Sequence, residues 1–250
     1  MKEFVLCDDS KPEEVVPLCK KYGLGIEIQS FHNPNKVDEC ELIIEKYKQL
    51  LPENISCHLH APYADLCFGS NTPLIVDATR FYFNYAYSVA KKLDVKSIVI
   101  HHGYVPKTSY MPNWIKRSVT FWNDFLSDKS DVSFNLENQL EWNCEPLVEI
   151  IDKVNSEKLG VNLDIGHAHA NSKEPVINWI KSLGNRIKYV HLHNNHGEYD
   201  EHLGLTHGTI DIIEILNALN HYAPDAIWAL ECQIEHMEES IEFLKENKFI

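Results

Sequence analysis

Short runs of β-branched and other apolar residues alternate along the chain with longer stretches of helical periodicity. The runs are Phe4 to Cys7, Gly25 to Gln29, Ile55 to His60, Lys96 to His101, Val132 to Glu137, Gly160 to Asp164, Ile187 to His193 and Ala226 to Glu231. Helix-like segments fall near residues 11–22, 37–50, 73–93, 113–128, 145–158, 173–184, 210–221 and 237–247. In the 210–221 segment, Ile210, Ile213, Leu216 and Leu219 recur at helical spacing. Strands that alternate with helices predict a parallel sheet, because parallel neighbours need a crossover between them. Eight such units suggest closure into a (β/α)8 TIM barrel. An open doubly wound sheet would carry a Gly-rich phosphate loop after its first strand. Asp8-Asp9-Ser10-Lys11-Pro12 is no such loop. No linker, low-complexity tract or charge block divides the chain, so residues 1–250 read as one domain. The length fits, since a barrel of this kind typically needs about 250 residues.

Composition narrows the partners. Hydrophobic residues make up 44% and charged residues 24%, which suffices for a full core. The formal net charge of −14 argues against long nucleic acid, whose phosphates need a basic surface, and suits a chain that binds cations. Seven cysteines without a C-x-x-C pair read as reduced thiols of a cytoplasmic protein. The residues after Met1 show no signal-peptide pattern, and no stretch approaches a membrane span. The expected partner is a small-molecule substrate; a homo-oligomer stays open. Phe81, Tyr82, Phe83 and Tyr85 read as helix and core packing.

The fourteen histidines carry most of the chemistry. Catalytic groups of such barrels come from the C-terminal ends of the strands. Here the third strand ends in His60, the fourth in His101, the fifth in Glu137 and the sixth in Asp164; the seventh carries His191 and the eighth ends in Glu231. His167 follows Asp164 by three residues, and Asp200 and His202 lie in the long polar loop Asn194 to Asp211. All are ligand types for zinc, manganese or cobalt. Taken singly, a strand-end His is more often a hydrogen-bonded structural residue, and Glu137 or Glu231 a salt-bridged carboxylate. Six strands ending in ligand types together predict a metal site, because buried charge must be paired or metal-bound. His58 and His193 share strand faces with His60 and His191, and spacing alone does not choose within either pair. His102 should point away from the mouth, and His169, His196 and His207 should sit in solvent or around the site rather than on metal.

Seven segments resemble the xylose-isomerase-like barrels, which include sugar-phosphate isomerases and epimerases and apurinic endonuclease IV. They are His60-Ala-Pro-Tyr63, His101-His-Gly103, Leu136-Glu137-Asn138, Asp164-Ile-Gly-His167, His191-Leu-His193, Asp200-Glu-His202 and Leu230-Glu231, in family order over about three-quarters of the chain. In the epimerase branch the resemblance implies a four-ligand site of Glu137, Asp164, His191 and Glu231. In the endonuclease branch it adds His60, His101, His167, Asp200 and His202 for a three-metal cluster. One to three divalent ions per chain are thus implied. His191 is preferred to His193 because the family ligand opens a His-x-x-Asp/Asn segment, here His191-Leu-His-Asn194. Two departures stand out. No Arg lies between Asn194 and Asp211, where ketose 3-epimerases carry one, and Thr206-His207-Gly208 replaces a frequent Gly-Glu-Gly.

Three functions compete. The first is isomerisation or epimerisation of a small sugar or sugar phosphate through an enediolate. Glu137 and Glu231 would serve as base and acid, with His167 and Tyr63 contacting the substrate. Lys107, Lys116 and Arg117 are the cations nearest in sequence for a phosphate, although solvated surface charge is their simpler reading. The second is multinuclear phosphoester hydrolysis of the endonuclease IV type. The third is a barrel that binds metal and ligand without catalysis.

Overall fold

All eight apolar runs form parallel strands, and they close on themselves in sequence order. The structure is a computed structural model that describes residues 2–250. The strands are β1 (Phe4–Cys7), β2 (Gly25–Ile28), β3 (Cys57–His60), β4 (Ser97–His101), β5 (Ser133–Glu137), β6 (Leu159–Asp164), β7 (Ile187–Leu192) and β8 (Ile227–Leu230). The helices are α1 (Pro12–Tyr22), α2 (Cys40–Leu50), α3 (Pro73–Lys92), α4 (Met111–Phe125), α5 (Glu145–Val154), α6 (Ile165–Asn171), α7 (Val176–Leu183), α8 (Ile212–Tyr222) and α9 (Ile234–Glu246). Phe4, Val5 and Leu6 pair with Trp228, Ala229 and Leu230, which joins the first strand to the last. The chain is therefore a single (β/α)8 barrel.

Strand residues alternate between two environments, as the pleat requires. One set packs with the helices in a large apolar shell that includes Ile26, Ile98, Leu136, Val161, Val190 and Trp228. The other set faces the barrel interior, where Val5, Cys7, Val99, Tyr189 and Ala229 form a small separate cluster. His58, Asn135 and Asn162 share that interior parity and are buried. Polar side chains thus reach well below the mouth, in a place where barrels usually stack aliphatic layers.

Local chemistry explains several helix boundaries, and the structure departs from the sequence reading in three places. Gly23 ends α1 in the left-handed region at φ 68°, with its N–H bonded to Cys19 O. Asp211 caps α8 by accepting from Glu214 N. That cap sets the phase of the helix, so its packed face is Ile212, Ile215, Leu216 and Leu219. Ile210 lies before the helix, and Ile213 turns to solvent. A second departure is α6, one short helix ahead of the expected 173–184 segment. Seven residues show no periodicity, and its start depends on Asp164 accepting from His167 N at 2.7 Å. Third, Phe83 packs inside while Phe81 is exposed. Among the described residues no helix is long and apolar enough to cross a membrane, and all seven cysteines are free thiols.

Gly166 marks where α6 meets β7. A Cβ there would lie 1.9 Å from His193 Cε1. Gly166→Ala is expected to destabilise the fold by about 2 kcal/mol through overpacking. A urea denaturation midpoint equal to that of the parent would refute this packing.

Candidate metal centre at the barrel mouth

Four strand ends deliver carboxylates or imidazoles to one point. His191 sits on β7 with its Nε2 3.0 Å from Glu27 Oε2. Since a carboxylate oxygen only accepts, Nε2 carries the proton and Nδ1 is left with a lone pair. That Nδ1 faces Glu231 Oε2 at 2.9 Å, Glu137 Oε2 at 3.5 Å and Asp164 Oδ2 at 3.6 Å. Both His191 Nδ1 and Glu231 Oε2 are buried without a hydrogen-bond partner. Lone pairs and negative charges converging in this way require a cation or extra protons between them. The donor set of three carboxylate oxygens and one imidazole suits a divalent ion.

Two further groups share this centre. Glu137 Oε2 lies 3.4 Å from His60 Nε2, and Glu137 Oε1 lies 3.5 Å from His101 Nε2. His60 Nδ1 donates to its neighbour Ala61 O at 2.9 Å, so its Nε2 lone pair also faces the carboxylate. On the other flank, Asp200 Oδ2 lies 3.1 Å from His167 Nε2 and 2.8 Å from His202 Nε2. His167 Nδ1 donates to Asn138 O and His202 Nδ1 to Glu231 O, each at 2.9 Å. The scaffold thus selects which ring nitrogen is presented, as outer contacts do for metal-binding histidines. All nine candidate ligands, Glu137, Asp164, His191, Glu231, His60, His101, His167, Asp200 and His202, belong to this one network.

The paired histidines separate by environment. His191 faces the point shared by three carboxylates. His193 donates from Nε2 to Asp164 Oδ1 at 3.0 Å and stacks on His202, ring centroids 4.2 Å apart. Its Nε2 also lies 3.7 Å from Asp200 Oδ1, so it borders the outer group. His58 faces the opposite end, with Nδ1 on Ser97 Oγ at 2.8 Å and Nε2 on Glu3 at 3.1 Å. His102 turns away from the mouth, as its position implied, onto buried Glu141 at 2.6 Å. Tyr63 lies at the rim and stacks on His101 with centroids 4.3 Å apart. Lys107, Lys116 and Arg117 do not line the cavity. Lys107 lies over the Trp142 ring, and Arg117 Nε donates to Gly69 O at 2.8 Å.

The family described as Xylose isomerase-like TIM barrel matches residues 9–247. The chain belongs to that family. An uncharacterised protein of Methanocaldococcus jannaschii is 29% identical over 233 residues, spanning 84% of this chain and 80% of its own. Among solved structures, a protein from Thermus thermophilus soaked with zinc chloride superposes with a TM-score of 0.79 at 23% identity, over 98% of this chain and 96% of its own. A D-tagatose 3-epimerase-like protein gives 0.76 at 24% identity with the same coverage. At these identities the structural likeness is one of fold.

Within this family barrel, sequence reasoning overlooked Glu27, Gln29, Asn138 and Cys7. Glu27 is fully buried and holds His191. Gln29 Nε2 donates to Glu231 Oε1 at 2.6 Å and to Glu27 Oε1 at 3.3 Å. Asn138 bonds both backbone groups of Asp164 at 2.9 Å. Cys7 brings its sulfur among Glu27, His191 and Glu231, with donor atoms all within 4.8 Å of one another. The missed signal is parity: Gly25, Glu27 and Gln29 occupy one face of β2, the face that leads to the mouth.

Burial favours neutral side chains, but the mutual charges dominate. Burial would lower the imidazoles of His191 and His167; Glu231, Glu27 and Glu137 hold the first well above its ordinary value, and Asp164, Asp200 and Glu137 the second. His202 is raised to about 10, Asp200 and Glu231 overcoming burial. His101 behaves oppositely, burial pushing it down to about 4. Against their own burial, Glu137 and Asp164 are held well below the carboxylate range by the surrounding histidines.

This balance sets a pH dependence. Without a bound cation, the raised histidines stabilise the fold fully below about pH 6.5, their unfolded value. That contribution is lost as pH rises through their folded values, about 10 for His202. Melting temperature in chelator is expected to fall steadily from pH 6.5 to 10; a flat profile would contradict the network. Glu27→Gln is expected to weaken divalent-metal affinity about 10- to 100-fold, the usual scale for removing an orienting partner. Unchanged affinity in a competition titration with a chromophoric chelator would show that Glu27 does not orient His191.

Proposed function

We propose that the chain is a metal-dependent isomerase or epimerase acting on a small, unphosphorylated sugar. The observation that carries this is the convergence of Glu137, Asp164, His191 and Glu231 beside a cavity of about 360 Å³, which Glu137 and Glu231 line. The cavity size suits a monosaccharide. No lysine or arginine among the described residues lines it. A sugar phosphate would find no lysine or arginine to clamp it, whereas a neutral polyol needs none. The D-tagatose 3-epimerase-like protein of the same fold lends family-level support.

A divalent ion held by these four residues would supply electrostatic stabilisation of negative charge developing on substrate oxygens. Glu137 on β5 and Glu231 beyond β8 stand three strands apart around the barrel. They flank the substrate carbon, one removing its proton and the other returning it. Gln29 fixes Glu231 through one oxygen, and Asn162 Nδ2 fixes Glu137 Oε2 at 3.1 Å. Tyr63 and His167 line the cavity and confine the substrate.

One observation favours a second reading, a multinuclear phosphoesterase. The two oxygens of Glu137 face different imidazoles, His60 and His191 on one side and His101 and His167 on the other. Glu137 with these imidazoles would hold more than one cation, which would supply charge stabilisation to a phosphate.

The test is exchange of solvent deuterium into a panel of ketoses by the manganese-, cobalt- or zinc-loaded protein. Exchange is expected at the carbon beside the carbonyl, with a loss of at least about 100-fold in Glu137→Gln. No exchange into any ketose, together with three ions per chain and hydrolysis of bis(p-nitrophenyl) phosphate, would replace this reading with the second. Ligand binding that survives Glu137→Gln, with neither activity in the parent, would leave a non-catalytic barrel.

A further inference from the structure

A second cluster of ligand-type residues lies outside the cavity. His236 and Glu239 are three residues apart on α9, so they share one face of the helix. His207, from the loop between β7 and α8, reaches that face. Its Nε2 lies 3.1 Å from Glu239 Oε2 and 3.2 Å from Oε1. The His207 and His236 rings stand 4.2 Å apart between centroids, tilted by 42°. One donor atom from each of His207, His236 and Glu239 falls within 4.8 Å of the other two.

Thr206 Oγ1 donates to Glu239 Oε1 at 2.9 Å, and the loop is further held in place by contacts outside these three. Asn194 Nδ2 donates to Leu205 O at 2.8 Å, and Asn194 Oδ1 accepts from Ile210 N at 3.0 Å. Leu205 N donates to Ser240 Oγ on α9 at 3.1 Å. Gly208 packs so closely that a Cβ would lie 2.2 Å from Asn194 Oδ1. His207 is therefore delivered to α9 by a braced turn, and the cluster is assembled before any ligand arrives.

A simple surface ion pair would need one imidazole and one carboxylate, and would be worth under about 1 kcal/mol. It gives no reason for a second imidazole tilted against the first beside the same carboxylate. Two imidazoles and a carboxylate from two elements, with solvent on the open side, are the donor set of a three-ligand zinc site with free positions. We propose that His207, His236 and Glu239 form a separate surface site for a borderline divalent cation such as zinc, which pins the loop Asn194 to Asp211 onto α9. The same loop carries Asp200 and His202 to the barrel mouth, so an ion here would restrain both.

The experiment counts zinc bound per full-length chain after equilibrium dialysis, in the parent and in His236→Ala and Glu239→Gln. Each variant is expected to hold one zinc fewer than the parent. This difference does not depend on how many ions the mouth takes, so it stands or falls apart from the proposed activity. His236→Gln, which keeps side-chain bulk, controls for local unfolding and is expected to lose the same ion. Equal zinc content in the parent and in variants with parental circular dichroism would overturn the proposal.

Discussion

The mouth of this barrel is organised by an electrostatic demand. Glu27, Glu137, Asp164, Asp200 and Glu231 are brought within contact of one histidine network, and no lysine or arginine among the described residues lines the cavity they surround. Side-chain cations are the usual answer to clustered carboxylates, and here they are missing. Imidazoles are the remaining partners, and they can compensate only by holding extra protons or by sharing a metal ion. Either state leaves few arrangements of the strand ends that satisfy every lone pair. The placement of β5 to β8 is thus tied to charge as much as to the apolar shell behind them.

Backbone carbonyls do much of the orienting. Ala61, Asn138 and Glu231 each take the Nδ1 proton of a histidine, and Glu27 takes the Nε2 proton of His191. A carbonyl cannot change protonation, so it is a more reliable selector of tautomer than another titratable group. Asp164 shows the same economy of parts: one side chain caps α6, holds His193 and faces His191. This coupling makes the start of a short helix depend on the same atoms that would bind a cation.

The barrel was legible because period-2 runs and helical runs alternate over the whole length, and eight of them leave little else to build. The cluster of strand-end polar residues was legible because six apolar runs closing in His, Asp or Glu together have few structural uses. Glu27 was not, because it lies mid-strand in Gly-Ile-Glu-Ile, and only knowledge of which β2 face turns inward would have separated it from a surface carboxylate. Choosing His191 over His193 required a family pattern, since both occupy one face; their partners, Glu231 against Asp164, separate them in three dimensions. In the 210–221 reading Leu216 and Leu219 do pack inward, but Ile213 turns to solvent because the cap at Asp211, not the apolar spacing, fixes where the helix begins. Phe81 faced solvent because a long helix such as α3 can carry aromatic residues on both faces.

The same balance bears on how the mouth would take the divalent ions proposed for it. Metal binding releases protons from ligands that must first be deprotonated, so a site already neutral takes its ion at least proton cost. His101, pushed down to about 4, is neutral near pH 7, whereas His202, raised to about 10, is not. Loading of the Asp200–His202 flank must therefore displace a proton that loading through His101 need not. Each ion that arrives also removes negative field from its neighbours, which lowers the remaining histidines and makes them better ligands. Occupancy of the three groups should consequently be linked and favoured by rising pH, with Glu137 as the shared element through which the first ion influences the next.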